Sequence, residues 1–468
     1  MSFPVDVVIL AAGKGTRMKS ARPKVLHRLG GRALAQHVID CVCSLQPRSV
    51  LLITGHEAAQ VEAGLRCGEH SAAQLQFVRQ QPQLGTGHAL QQAAPLLPDD
   101  GVTLVLSGDV PLTQPSTLRA LLDLCAGQQL ALLTLELPDP SGYGRVLRTA
   151  QGAVQAIVEQ KDASPAQLAI SEIYSGIMAA PTRWLRRWLA RLENQNAQGE
   201  YYLTDVVRFA VADGQPVLAH RIDDALQVAG VNSPLQLAEL ERAYQKRVAQ
   251  ALLEQGTRLV DPARLDVRGV LSCGPDVEID VNCIFEGRVR LGAGVRIGPH
   301  CVISDAVIED GAVIQAFTHI QGEAAGVSVG PGAQVGPFAR LRPGAQLGAQ
   351  VHIGNFVEVK NSSLAAGAKA NHLAYLGDAT LGERVNYGAG CITANYDGAH
   401  KHRTVIEADV HVGSNCVLVA PLTLGAGSTV GAGSTITQST PTGGLSLARA
   451  RQASVPGWQR PRKPGQAS

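Results

Sequence analysis

The chain has 468 residues, of which 45% are apolar and 17% charged, with a formal net charge of +2. That length predicts two or three domains, and that charge supplies no global field for holding nucleic acid or a membrane surface. Nine cysteines without a C-x-x-C pair predict buried thiols in a cytoplasmic setting; Asp6 in the first strand and the lack of any apolar run of about 20 residues argue against a secretory signal or membrane span.

In chain order, apolar runs at residues 5–10 (VDVVIL), 49–54 (SVLLIT), 102–108 (VTLVLSG) and 130–137 (LALLTLEL) read as strands, and stretches 33–43 and 115–125 have helical spacing. Nearly continuous apolar strands alternating with helices predict a parallel sheet covered on both faces. That is a doubly wound, Rossmann-like α/β domain with its ligands at the carboxyl ends of the strands. The first strand opens into Gly13-Lys14-Gly15-Thr16. This fits neither the G-x-x-x-x-G-K-[ST] loop nor the dinucleotide fingerprint, whose third glycine is Met18 here. What remains is two glycines whose N–H groups can approach phosphate oxygens, followed by Lys14, Arg17 and Lys24. The set suits a triphosphate and charge stabilisation at one phosphorus. Asp109 ends the third strand, where a hard carboxylate suits Mg²⁺; a turn aspartate would look the same in sequence.

Residues 232–256 follow, with Ser233 as N-cap, Pro234 at the first helical position and Gly256 as the stop. Leu237, Leu240, Tyr244, Val248 and Leu252 form one apolar stripe. This predicts a helical connector, and domains of residues 1–234, 235–255 and 256–468. Beyond it, aliphatic residues fall six apart: Ile279, Phe285, Leu291, Ile297 and Ile303; Ile308, Ile314 and Ile320; Val329 through Val359; Leu381 and Tyr387; and Ile406 through Ile436. A period of six fits a hexapeptide β-helix whose aliphatic residues point into a narrow core. About ten coils stacked about 4.8 Å apart would give a three-sided prism. The longest break, residues 394–403 (ANYDGAHKHR), reads as a loop thrown out from it. Exposed prism faces also predict a homotrimer.

With LAAGKGTRM (10–18) stand RPKVL (22–26), QLGTGHAL (83–90), SGDVPL (107–112), GYGRV (142–146), VEQKDA (158–163) and GVN (230–232). In this order, ahead of the hexapeptides, they make the chain resemble the bacterial bifunctional N-acetylglucosamine-1-phosphate uridyltransferases/glucosamine-1-phosphate acetyltransferases over nearly its whole length. The resemblance implies a left-handed parallel β-helix and two activities: acetyl transfer from acetyl-CoA, then uridylyl transfer from UTP. It assigns Mg²⁺ to Asp109 and Asn232, and the reacting phosphates to Arg17 and Lys24. It gives uracil and ribose to Leu10, Ala11, Ala12, Gly13, Gln80, Gln83 and Gly85, with Ser107 and Gly108 beside Asp109. The sugar falls to Thr86, Gly144, Glu159 and position 174, where Tyr174 stands in place of the family's asparagine.

On the prism, ARLRPG (339–344), VEVKNS (357–362), NHLAYLGD (371–378), VNYGAG (385–390) and ANYDG (394–398) interrupt the hexapeptides with charged and aromatic residues. Acetyl transfer to an amine needs a base, since an ammonium has no lone pair, and histidine is the natural choice. By resemblance that base is His372. Arg342, Lys360 and Tyr375 hold the sugar phosphate with Asn386, and Ala389, Asn395, Tyr396, Ser414, Ala432 and Arg449 meet acetyl-CoA. Asn371 replaces the glycine that commonly precedes the histidine. A single-activity nucleotidyltransferase with a plain β-helix, or a hexapeptide scaffold for partners, are the rival readings. The basic, Pro-rich tail at 457–468 is either an arm laid on a neighbouring subunit or disordered.

Overall fold

The computed structural model describes residues 3–67 and 74–461; the end of the tail, 462–468, lies outside them. Two compact units form, Met1–Arg247 and Val248–Ser468.

The first unit is built on a nine-stranded sheet. Its strands are β1 (Val5–Leu10), β2 (Ser49–Thr54), β3 (Leu75–Arg79), β4 (Val102–Ser107), β5 (Leu130–Glu136), β6 (Gly144–Arg148), β7 (Val154–Val158), β8 (Glu172–Pro181) and β9 (Val217–Arg221). They lie in the order β9-β5-β8-β4-β1-β2-β3, with the β6–β7 hairpin attached to β8. Alternate residues of β1 feed two cores. Val7 and Ile9 meet α1 (Leu34–Cys43) and α4 (Pro115–Cys125), while Val8 meets α3 (Thr86–Ala93), α5 (Thr182–Leu189) and α6 (Asp205–Ala212). Burial on both sides is why the strand is apolar apart from Asp6, which is buried near its start and paired with Arg48. One expectation needs correcting: the sheet is mixed, because β8 runs antiparallel between β4 and β5. β8 starts beside the end of β5, Glu172 being the register partner of Glu136, so the chain turns back at the same end of the sheet and needs no helical crossover. Its register shifts between Tyr174 and Met178 around Gly176, whose φ is 87°, a bulge of the kind that re-aims a side chain.

Helix α7 spans Pro234–Glu254, Ser233 Oγ accepting from Gln236 N at 3.2 Å. Leu237, Leu240 and Tyr244 pack with Met18, Leu29 and Leu112 in the first unit. Ala249 and Leu252 belong to the core of the second.

That core is the six-residue rhythm made physical. Every residue the period picks out, from Ile279 to Ile436, is no more than 5% exposed and belongs to one cluster. One face of the β-helix carries eleven parallel strands, ten intervals of about 4.8 Å or about 48 Å in all. The other two faces share strands at the start. Val302–Ser304 pairs with His319–Gln321 and Ala306–Ile308 with Val327–Val329, so Val302–Ile308 turns a corner from one face to the next. A coil that the period skips is also present: Leu364, Ala370 and Leu376 are buried in the same cluster. Residues 395–403 project between Ile392–Ala394 and Thr404–Ile406 as a hairpin closed by a Tyr396–Lys401 bridge.

Candidate functional sites

In the first unit, the carboxyl ends of β1 and β4 lie side by side, Gly108 N donating to Leu10 O at 2.9 Å. They open into a cavity of about 920 Å³ lined by Leu10, Ala11, Ala12, Gly13, Lys24, Gln80, Gln83, Gly85, Thr86, Ser107 and Asp109. Arg17, Gly108, Gly144, Glu159, Tyr174 and Asn232 stand outside that lining. Gly15 takes a left-handed φ of 59°, and a Cβ there would fall 2.7 Å from Lys24 Cβ. Glycine therefore lets Lys24 fold back over the loop. Met18, 3% exposed among Leu29, Leu34 and Leu112, pins the turn that follows.

The cations and the oxygens form one network. Lys24 Nζ lies 2.5 Å from Asp109 Oδ2 and 3.1 Å from Asn232 Oδ1, to which Arg17 also donates at 2.9 Å. Residues 109 and 232 are brought together by the backbone, Val231 N donating to Asp109 O at 3.0 Å. Gln236 Oε1 accepts from Asn232 N at 2.8 Å, a support that sequence reading missed and that the first turn of α7 supplies. Gln80 holds the opposite wall, its Nε2 donating to Gly85 O at 2.9 Å. Gly85 must be glycine: its φ is 104°, and a Cβ would sit 2.7 Å from Tyr201 O.

Three of the predicted sugar residues also meet. Tyr174 pairs in register with Gly144, and the Glu159 charge acts on its phenol. Glu159 Oε1 accepts from Thr204 Oγ1 at 3.0 Å. Burial, then the neighbouring Asp162, Asp205 and Glu200 charges, raise the Glu159 carboxyl above its usual range. Tyr174 is packed in the core, its hydroxyl buried and without a hydrogen-bond partner among the described residues. Burial first, and Glu159 second, push that phenol well above the usual range.

The second site sits on the β-helix. His372 Nδ1 and Asn355 Oδ1 are 2.8 Å apart, on adjacent strands where the two residues are register partners. With the carboxamide oxygen accepting, Nδ1 carries the hydrogen and Nε2 keeps its lone pair facing out. Gly354 makes this possible, because a Cβ there would collide with Asn371 O. Asn371 itself lies in the Lys369–His372 strand, its Oδ1 buried and without a partner among the described residues.

Round the corner on the same two coils, Glu358, Val359 and Lys360 pair with Tyr375, Leu376 and Gly377. The Tyr375 hydroxyl folds over Gly377, where any Cβ would strike it. Arg342 donates to Glu358 at 2.8 Å. Lys401 against it, then the Arg342 charge, pull the Lys360 ammonium below the usual lysine range. Three cations thus gather on one patch, Arg342 paired with Glu358 and Asp378 acting on Lys360, a surface whose two lysines can take an anion. Lys401, on the projecting hairpin, was not among the predicted residues. Asn395 is buried, its carboxamide donating to Asp378 at 2.5 Å, while Tyr396 is exposed and donates to Gly398 O at 2.7 Å.

The predicted acetyl-CoA residues climb one edge. Gly390 N donates to His372 O, Asn415 N to Ala389 O, and Gly433 N to Ser414 O. Arg449 then donates to Ala432 O at 2.7 Å. Positions spread over nearly eighty residues of sequence become a column rising coil by coil from His372, about 4.8 Å per step. Asn386 is exposed on the strand next to Lys369.

Known proteins bear on both halves. The MobA-like NTP transferase domain matches residues 7–259 and the bacterial transferase hexapeptide (six repeats) matches residues 403–438. The chain is 71% identical over 468 residues to the bifunctional protein GlmU of Polaromonas naphthalenivorans, covering 99% of both. It is 70% identical to that of Polaromonas sp. (strain JS666), again over 99% of each. The GlmU of Albidiferax ferrireducens is 67% identical over 98% of this chain and 100% of its own length.

Proposed function

This chain belongs to the family of bifunctional GlmU proteins, and on that footing we propose how its two sites divide two transfers. The chain is a bifunctional transferase of UDP-N-acetylglucosamine synthesis. Acetyl passes from acetyl-CoA to glucosamine-1-phosphate; uridylyl then passes from UTP to the N-acetylglucosamine-1-phosphate so formed, releasing pyrophosphate. The observation that carries this reading is a division of chemistry. One unit has an oxygen pair sharing a cation, and the other has an oriented imidazole beside three cations.

Acetyl transfer runs on the β-helix. The His372 Nε2 lone pair takes a proton from the substrate ammonium, and the freed amine attacks the thioester carbonyl. The C–S bond breaks, and the departing thiolate takes up a proton. Arg342, Lys360, Lys401 and Tyr375 hold the sugar phosphate, with Asn386 beside it. Acetyl-CoA lies along the edge marked by Ala389, Ser414, Ala432 and Arg449, closed by Asn395 and Tyr396.

Uridylyl transfer runs in the first unit, and this family implies a divalent metal. The residues fit one: Asp109 Oδ2 and Asn232 Oδ1 are hard oxygens that already share the Lys24 ammonium. Asp109 and Asn232 would hold a Mg²⁺ ion, which would supply charge neutralisation at the reacting phosphates. Lys24 and Arg17 turn to those phosphates and steady them while a sugar-phosphate oxygen attacks the α-phosphorus in line. Leu10–Gly13, Gln80, Gln83 and Gly85 read the nucleoside; Thr86, Gly144 and Glu159 face the sugar, with the buried Tyr174 packed behind them.

The working form is a homotrimer. What supports this is an exposed ladder on one β-helix edge: His300, Phe317 and Phe338 and Phe356 stack at 4.8, 4.9 and 5.4 Å, and Leu373 beyond them is 62% exposed. A non-catalytic β-helix would need neither the Asn355–His372 pair nor the cation patch. The test is a coupled assay with glucosamine-1-phosphate, acetyl-CoA, UTP and Mg²⁺. UDP-N-acetylglucosamine is the expected product; uridylylation of supplied N-acetylglucosamine-1-phosphate without acetyl transfer would leave only the single-activity reading.

A further inference from the structure

Outside both sites, two nucleophilic side chains already touch. Cys43 closes α1 and Cys67 lies beyond the end of α2 (Ala58–Gly64). Their Sγ atoms are 3.3 Å apart, and both residues are partly exposed. A clamp two elements deep holds them together: Gln36 Nε2 donates to Arg66 O at 2.8 Å, and Arg66 N donates back to Gln36 Oε1 at 3.3 Å. Cysteines elsewhere are placed differently. Burial pushes the Cys41 thiol up to about 12 and Cys125 to about 11; Cys283 and Cys301, and likewise Cys391 and Cys416, also meet in pairs, but they are buried in the β-helix core.

We propose that Cys43 and Cys67 form a redox modification site, closed to an intramolecular disulfide by a peroxide or a small-molecule disulfide. With hydrogen peroxide, one thiolate attacks a peroxide oxygen, the O–O bond breaks, and a sulfenic acid forms as hydroxide leaves and takes up a proton. The second sulfur then attacks the sulfenic sulfur and water departs. Two thiols and one peroxide become one disulfide and two waters. The sulfurs must close about 1.3 Å to reach a bond of about 2.05 Å.

The bond would have a local consequence. It encloses residues 43 to 67, a ring containing β2 and the Gly55–Ala58 segment that walls the first cavity. Closing the ring ties that wall to α1 and lowers its freedom to adapt.

The experiment treats the full chain with hydrogen peroxide or glutathione disulfide, traps remaining thiols by alkylation, and maps peptides without reduction. The expected result is loss of two of the nine thiols, one linked pair joining the Cys43 and Cys67 peptides, and its reversal by dithiothreitol. UTP affinity, measured by titration calorimetry, should shift at least about two-fold on oxidation, and Cys43→Ser should show neither the link nor the shift. No linked pair, or a pair joining Cys283 to Cys301 instead, overturns the proposal. A linked pair with unchanged UTP affinity overturns its coupling to the cavity. The peptide map does not depend on the nucleotide reading, whose own failure would show as a reduced chain that does not bind UTP.

Discussion

Replacing Asn355 with alanine tests how the acetyl-transfer base is aimed. Asn355 Oδ1 sits 2.8 Å from His372 Nδ1 and is its only side-chain hydrogen-bond partner among the described residues; it is itself assigned to neither substrate. Removing a hydrogen bond of this kind loses about 0.5–1.5 kcal/mol, a factor of about 2 to 13. It also frees the second tautomer, which presents N–H rather than a lone pair at Nε2. A fall in kcat of about 5- to 20-fold is therefore expected, against about 10²–10⁴ for loss of a general base itself. The assay follows thiol release from acetyl-CoA with glucosamine-1-phosphate as acceptor. KM for both substrates should hold within about two-fold, uridylyl transfer should be untouched, and Asn355→Asp, which keeps an acceptor oxygen, should recover most of the rate. Unchanged kcat in Asn355→Ala, or equal damage in the alanine and aspartate variants, would refute the reasoning.

Three other outcomes follow from the geometry. Lys360→Met should raise the acetyl-transfer KM for glucosamine-1-phosphate by about 10- to 100-fold, from the loss of a charged hydrogen bond of about 1.5–3 kcal/mol, and salt should weaken binding less in the variant than in the parent; equal salt slopes would contradict an anion patch. Chelation of divalent ions should stop uridylyl transfer and leave acetyl transfer running, with Mg²⁺ restoring the first. Glu159 has a raised folded pKa, caused first by burial, so its favourable contribution is complete below the ordinary 4.5 and is lost as pH rises through the raised value. Glu159→Gln should accordingly gain thermal stability over the parent as pH climbs through that window and hold a constant difference above it, as thermal melts across pH would show.

The aliphatic core of the β-helix was readable because a period of six is uncommon and each beat must be buried. The skipped coil at Leu364, Ala370 and Leu376 escaped because its approach and exit steps, Val359 to Leu364 and Leu376 to Leu381, are five residues long and its middle beat is alanine. That same shortening hid Asn355: its contact with His372 spans seventeen residues and becomes visible only once the coil length is known. Lys401 was hidden for another reason, since its place depends on how a projecting hairpin folds back. In the first unit, the four central strands at 5–10, 49–54, 102–107 and 130–136 were legible from largely apolar runs, whereas the half-exposed edge strands Leu75–Arg79 and Val217–Arg221 were not. Strand β8 was not, because an antiparallel insertion leaves no helical crossover in the sequence. The Arg17–Lys24–Asp109–Asn232 network joins segments more than 200 residues apart, and only the resemblance connected them in advance.

The proposed function needs two independent active sites in one chain, and a reciprocal pair of variants tests that most directly. Asp109→Asn and His372→Ala should each be purified as folded protein and assayed separately for uridylyl and acetyl transfer. The first should lose uridylyl transfer and keep acetyl transfer near the parent rate, and the second the reverse. If either variant, still folded, lost both activities together, or Asp109→Asn retained full uridylyl transfer, the two-site account would be contradicted.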